Sequence, residues 1–212
     1  MKDSIFDDYA SHYGAITPEP MKQMYQGAVE HLYGRIVDCG SGPCKLAPYL
    51  LEIPDFVGYV GIDYSREMVA LGETLLNQLD DDRFEVHCGN VETIRGEYDC
   101  AVSLQSLYAW PSPVKALSRI HQSLVPGGKL VLASANNDLD IEKLVQQVSR
   151  DWLLNPLWPG YVEHNLSIAK NRKGNFLSLD CLIGELRGVG FEVLLAHTQF
   201  YQGGLNFVVC RR

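Results

Sequence analysis

No apolar run in this chain reaches the roughly 18 residues that a membrane-spanning helix needs, so a membrane partner is not expected. Basic residues are scarce: 18 Lys and Arg stand against 26 Asp and Glu, for a formal net charge of −8. Their one cluster is Lys170, Arg172 and Lys173. An acidic chain without a basic stripe lacks the counter-charge a nucleic acid demands. The first eight residues are acidic and carry neither the basic nor the apolar region of a signal peptide, which points to a cytoplasmic location. The six cysteines do not suggest a metal site, because Cys39 and Cys44 have no second Cys or His pair at zinc spacing. They read as small buried hydrophobes in a reducing compartment. A phosphate-binding Gly-Lys-Ser/Thr loop and a nucleophile elbow are also missing, which removes the chemistries those motifs serve.

What is present is an α/β pattern on a scale of 212 residues, 46% of them hydrophobic and spread along the chain, enough for one domain with a sizeable core. Arg35, Ile36, Val37, Asp38 and Cys39 read as a strand that runs into Gly40-Ser41-Gly42 and then a helix-compatible segment, 45–51. Such a turn places small residues and backbone N–H groups at a strand's C-terminal end, or is simply a bend that needs positive φ. A second strand ends at Gly61-Ile62-Asp63, an acid able to accept hydrogen bonds from vicinal ribose hydroxyls. Ser65 then caps a helix over 66–79. Further strands read at 84–88, 98–104, 129–134, 190–195 and 205–210, with helices at 114–124 and 179–189.

Val37-Asp38-Cys39-Gly40-Ser41-Gly42, Gly61-Ile62-Asp63-Tyr64-Ser65, Gly89-Asn90-Val91 and Leu124-Val125-Pro126-Gly127-Gly128-Lys129-Leu130 together resemble the ordered signature of class I S-adenosylmethionine-dependent methyltransferases. The resemblance covers about 36–211 and departs from the family at Cys44, where a third glycine is usual, and at Asn90, where an acid is common. It implies a Rossmann-like seven-stranded mixed sheet of order 3-2-1-4-5-7-6 with helices on both faces. The implied cofactor is S-adenosyl-L-methionine. The implied binding residues are Asp38, Gly40, Gly42, Asp63, Tyr64, Met68, Asn90, Val91 and Gln105. Met68 serves equally well as core packing.

Two segments lie outside that signature. Residues 1–34 carry Ile5, Phe6, Tyr9 and Tyr13 at helical spacing and a second helix opened by Thr17-Pro18-Glu19. They form either plain cover or, as the resemblance implies, a helical lid on the domain 35–212. Residues 136–173 hold Trp152, Trp158, Tyr161, His164 and Arg172, with a break expected from Asn155 to Tyr161. This segment is either filler or the wall of an acceptor pocket. Tyr9, Tyr108, Trp152, Trp158 and Tyr161 are the candidate acceptor contacts. His164, His12 and Tyr13 are the candidates for proton transfer or for positioning the methyl.

Three functions compete. The favoured one is methyl transfer to an oxygen or nitrogen of a small molecule, flat aromatic or heterocyclic molecules included. A protein or RNA methyltransferase is the second, although the fourth strand ends in Ser103-Leu104-Gln105-Ser106 rather than the Asn-Pro-Pro-Tyr-like tetrad of enzymes that methylate exocyclic amino groups. The third is a protein of this fold that uses the cofactor for other chemistry, such as cyclisation. A protein partner is left open.

Overall fold

A computed structural model describes residues 5–170 and 175–212. Residues 1–4, Arg172 and Lys173 lie outside the described residues, so the start of the proposed lid and the end of the 136–173 segment do too.

Strands β1 (Gly34–Cys39), β2 (Phe56–Asp63), β3 (Phe84–Cys88), β4 (Tyr98–Leu104), β5 (Leu124–Ala135), β6 (Glu192–Gln199) and β7 (Leu205–Arg211) form one sheet. Its order is β3-β2-β1-β4-β5-β7-β6, the order the resemblance implies. The first five strands pair in parallel and β7 runs antiparallel to both β5 and β6. Ile36, Cys100, Val102, Val131 and Ala133 pack in one core, while Val37, Cys39, Ala101, Leu130 and Leu132 pack in another. This strict alternation is the two-residue period of a strand with both faces buried, which is why these runs look continuously apolar in sequence.

The helices are α1 (Ile5–Ala15), α2 (Glu19–Val29), α3 (Ala47–Leu50), α4 (Arg66–Leu79), α5 (Pro113–Ser123), α6 (Ile141–Trp152), α7 (Trp158–Lys170) and α8 (Leu179–Val189). Ser65 Oγ accepts the Met68 N–H at the start of α4, and Ser178 Oγ accepts that of Cys181 at the start of α8, each satisfying an otherwise orphan donor. Tyr9 and Ala10 of α1 bury against Val148 of α6 and Trp158 and Tyr161 of α7. The two segments outside the signature therefore meet each other.

Three local details differ from the sequence reading. The strand after Pro126-Gly127-Gly128 starts earlier, at Leu124, which pairs with Tyr98, and the glycines lie inside it as a register shift. The break around 155–161 is shorter, because Pro159 sits in the first turn of α7, where a proline costs no intrahelical hydrogen bond. Helix α3 begins at Ala47 rather than residue 45, because Cys44 before it takes a left-handed φ of 57°.

Cys44 is accommodated rather than excluded. Its Sγ would lie 3.2 Å from a Cβ on Gly61 and 2.9 Å from one on Gly72, so two neighbours give up the volume the thiol takes. Burial pushes its pKa up to about 12, and a buried neutral thiol is a poor nucleophile. A thiol reagent applied to the native protein is expected to modify exposed Cys88 and Cys181 and to spare Cys44. Mass spectrometry showing Cys44 modified as fast as those two would refute the packed role.

Candidate active site

The sheet reverses its winding between β1 and β4, and the loops leaving these strands part to leave a crevice, the usual ligand position in open α/β sheets. Ser106 Oγ holds its two sides together by donating to Cys39 O at 2.6 Å. Gly40 (φ 80°) lies against Ser106, whose Cβ would be 2.3 Å from any Cβ at position 40. Only glycine fits there.

The glycine turn is pinned to the end of β2. The N–H groups of Gly40 and Ser41 both donate to Ile62 O, at 2.8 and 3.1 Å. That of Gly42 donates to Asp63 Oδ2 at 2.8 Å. All three donors are therefore spent within the protein, and a turn in this state cannot cradle a pyrophosphate as dinucleotide-binding turns do. What it offers a ligand is space: a Cβ on Gly42 would meet only the Tyr13 ring, at 3.6 Å.

Two acids flank this space. Asp38 is 3% exposed and accepts from Tyr59 Oη at 2.9 Å. Burial, with a smaller contribution from Asp63, raises its pKa to about 7 against the opposing Tyr59 hydrogen bond. Asp63 Oδ1 accepts the Ser65 N–H at 2.9 Å. Burial raises its pKa, while the N–H groups of Ser65, Gly42 and Tyr64 oppose the shift. With about four lone-pair sites, the carboxylate keeps acceptor capacity for a ligand beyond these N–H groups.

The N-terminal helices are tied to the same place. Ser65 Oγ donates to Asp7 Oδ1 at 2.5 Å. Lys45 Nζ donates to Tyr13 O and, at 2.6 Å, to Ile16 O, and lies 4.3 Å from the Tyr13 ring centre. Burial lowers its pKa to about 7.

These elements enclose a cavity of about 530 Å³, within the range typical of small-molecule sites. All nine candidate cofactor residues line it: Asp38, Gly40, Gly42, Asp63 and Tyr64 near the glycine turn, and Met68, Asn90, Val91 and Gln105 around it. Asn90 Oδ1 also accepts the Glu92 N–H at 2.8 Å, which fixes the side chain. Of the acceptor candidates, Tyr9, Tyr108 and Tyr161 line the cavity, and so does Tyr13 of the proton-transfer and positioning candidates.

Trp152, Trp158, His12 and His164 do not. Trp158 stacks on Tyr161 at 5.5 Å and faces an outer groove between α6 and α7. Trp152 packs at the edge of the same helical cluster. His164 stacks on Tyr9 at 3.7 Å, one ring away from the cavity, where burial lowers its pKa and its Nε2 has no hydrogen-bond partner. His12 sits against Gly160 of α7. The reason is geometric: an aromatic-rich helix turns only part of its face inward, and α7 turns Tyr161 and Asn165, four residues apart, toward the cavity.

Sequence reasoning missed Tyr25, Asn165 and Tyr201, all of which line the cavity. Asn165 Nδ2 donates to Tyr9 Oη at 2.6 Å and to Tyr161 O at 2.8 Å. Tyr201 arrives on the β6–β7 connection, where Phe200, Tyr201 and Gln202 have φ of 56°, 42° and 58°. Three consecutive non-glycine residues at positive φ are costly, and such strain gathers at functional sites. Two glycines follow them in sequence, Gly203 and Gly204, and gave the one available hint of an unusual backbone.

Fold and pocket together define a class I S-adenosylmethionine-dependent methyltransferase. A methyltransferase-domain family model matches residues 14–196, and the chain belongs to that family. A curated relative, trans-aconitate 2-methyltransferase of Deinococcus radiodurans, is 27% identical over 134 residues, 63% of this chain and 50% of the relative. The match therefore spans half of that relative's length. Among solved structures, a complex of the Haloferax volcanii Trm112 methyltransferase activator with a protein assigned as a methyltransferase aligns with a TM-score of 0.71 at 15% identity, covering 100% of this chain and 98% of that one. A protein assigned as an S-adenosylmethionine-dependent methyltransferase from Methanococcus maripaludis aligns with a TM-score of 0.67 at 20% identity, covering 99% and 95%. At these identities the structural likeness speaks to the fold.

The residues present fit S-adenosylmethionine on their own terms. A turn whose N–H groups are all spent, and whose one side chain is the Ser41 hydroxyl, suits an uncharged or cationic ligand segment better than a phosphate. Asp38 is a buried acid whose ionised form lacks a cationic partner, which the ligand's ammonium would supply.

Proposed function

We propose that this chain transfers a methyl group from S-adenosylmethionine to an oxygen or nitrogen of a small molecule. The observation that carries the reading is one cavity joining the glycine turn and its two acids to a lobe walled by tyrosines. When bound, the cofactor supplies a methyl group already activated as a sulfonium, so the protein's part is alignment and exclusion of water. Asp38 faces the ammonium of the methionine portion. Asp63 accepts from the ribose hydroxyls while holding the Gly42 N–H, so one carboxylate sets both ligand and turn. Asn90 meets the adenine edge, with Met68 and Val91 against its faces. Tyr9, Tyr13, Tyr108 and Tyr161 orient the acceptor.

The lining argues against the acceptor named for the Deinococcus relative. Trans-aconitate carries three carboxylates, and among the described residues no Lys, Arg or His lines this cavity.

Asp63→Ala is expected to weaken S-adenosylmethionine binding by about 1.5–3 kcal/mol, the cost of leaving buried donors without their acceptor. Calorimetric titration measures it. A wild-type protein that binds no cofactor would sink the proposal, and an unchanged Kd in the variant would remove the ribose role alone.

A further inference from the structure

We infer that the atom methylated is the nitrogen of a small amine; this rests on the methyl-transfer reading above and narrows its acceptor. The acceptor lobe is walled by six tyrosines: Tyr9, Tyr13, Tyr25, Tyr108, Tyr161 and Tyr201. Burial raises the pKa of every one of them, so at neutral pH they are uncharged and none serves as a base. The ionisable carboxylic acids in the lining are Asp38 and Asp63, and no cationic side chain stands among the described lining residues.

This charge pattern separates the two acceptor atoms. A phenol, alcohol or carboxylic acid attacks well only as an oxyanion. In this cavity an oxyanion would have to form beside two acids, with no cationic side chain among the described lining residues to pair it and only the cofactor's sulfonium as counter-charge. An arylalkyl amine arrives as its ammonium and loses that proton to water before attack; unlike a phenol it then becomes neutral rather than anionic beside the acids, and its freed lone pair is the nucleophile. Its nitrogen forms the new N–C bond as the C–S bond breaks, and the electron pair of that bond stays on sulfur. The positive charge passes from sulfur to nitrogen, and the methylated ammonium loses a proton to water on release. Total charge in the cavity is unchanged.

The walls favour a cation on either atom. Aromatic rings attract desolvated cations, and the Tyr9 ring centre lies 5.5 Å from that of Tyr13 and 5.9 Å from that of Tyr161. The Tyr201 hydroxyl is buried, meets no hydrogen-bond partner within normal geometry and faces the Gln105 side chain. Its oxygen is a ready acceptor for an amine N–H.

The test compares three matched series on the full chain saturated with S-adenosylhomocysteine: arylalkyl amines, the corresponding phenols and the corresponding carboxylic acids. Calorimetry measures binding, and labelled S-adenosylmethionine then measures methyl incorporation. The amines are expected to bind at least about tenfold more tightly than either isostere and to be the series methylated. Tyr108→Leu, which removes one ring of the wall, is expected to weaken amine binding about tenfold, and an unchanged amine affinity in it would count against the aromatic wall. A chain that fails to bind S-adenosylhomocysteine defeats the methyl-transfer reading itself. A chain that binds it but prefers phenols or acids, or takes none of the three series, overturns the amine assignment and leaves the broader reading standing.

Discussion

Gly40→Ala is expected to abolish measurable S-adenosylmethionine binding, with a Kd raised at least about a hundredfold, equivalent to roughly 2.7 kcal/mol. Two independent costs meet at this position. A side chain at a φ of 80° is disfavoured by about 1–2 kcal/mol. The new methyl would also lie 2.3 Å from Ser106 Cβ and 2.5 Å from its Oγ, a separation that only backbone movement relieves. The loops after β1 and β4 must then part, which moves the floor of the cavity and breaks the Ser106–Cys39 hydrogen bond. Circular dichroism separates this from simple unfolding. Gly40→Ala/Ser106→Gly removes the overlap but keeps the backbone cost, so it should recover part of the affinity lost relative to Ser106→Gly alone. A single variant that binds within about threefold of wild type, a difference of well under 1 kcal/mol, would show that the cofactor does not rest on this turn.

Asp38→Asn is expected to move stability and cofactor affinity in opposite directions. In the folded chain the Asp38 carboxyl has a pKa of about 7 against an ordinary 3.8. Between these values the unfolded chain has given up the proton and the folded chain still holds it, so the folded state binds more protons and stability falls as pH rises. Over about three pH units, at about 1.4 kcal/mol each, the loss is about 4 kcal/mol and is complete above about pH 7. An asparagine can still accept from Tyr59 and carries no charge to bury. The variant without cofactor should therefore melt higher than wild type at about pH 8, with the difference vanishing toward about pH 4. Its affinity for S-adenosylmethionine should fall about tenfold to a hundredfold, the worth of a hydrogen bond to a charged partner. A variant melting lower than wild type on the alkaline side would mean that the carboxylate is already compensated in the empty protein.

The scaffold and the residues around the glycine turn of the cavity were legible because their signals are local. Asp38, Gly40, Gly42 and Asp63 stand at strand ends, where a run of apolar residues stops at an acid or a glycine. The tyrosine-lined part of the cavity is assembled from residues far apart in sequence, and its signals point elsewhere. Tyr25 lies on the buried stripe of α2 beside Met21 and Met24 and reads as core. Tyr201 reads as part of a hairpin turn. Within α7, composition marks an aromatic cluster but does not orient it, so Trp158 and His164 looked as suitable as Tyr161. Their places follow from how α1 lies across α7, with the Tyr9 ring between His164 and the cavity and Gly160 receiving His12. That packing joins residues as much as 156 positions apart in sequence, which no local window spans.

The contact of Cys44 with Gly61 and Gly72 also constrains the order in which this chain can change. Cys44→Gly would relax the left-handed backbone and open room beside α4, so Gly72→Ala becomes tolerable only after that step. With Cys44 in place, the same alanine substitution would push its methyl to 2.9 Å from the sulfur. The effects of the two substitutions are then non-additive in sign as well as size. Of the two mutational routes to the C44G/G72A double variant, one passes through a strained intermediate and the other does not. Laboratory drift under selection for stability should fix the change at position 44 first.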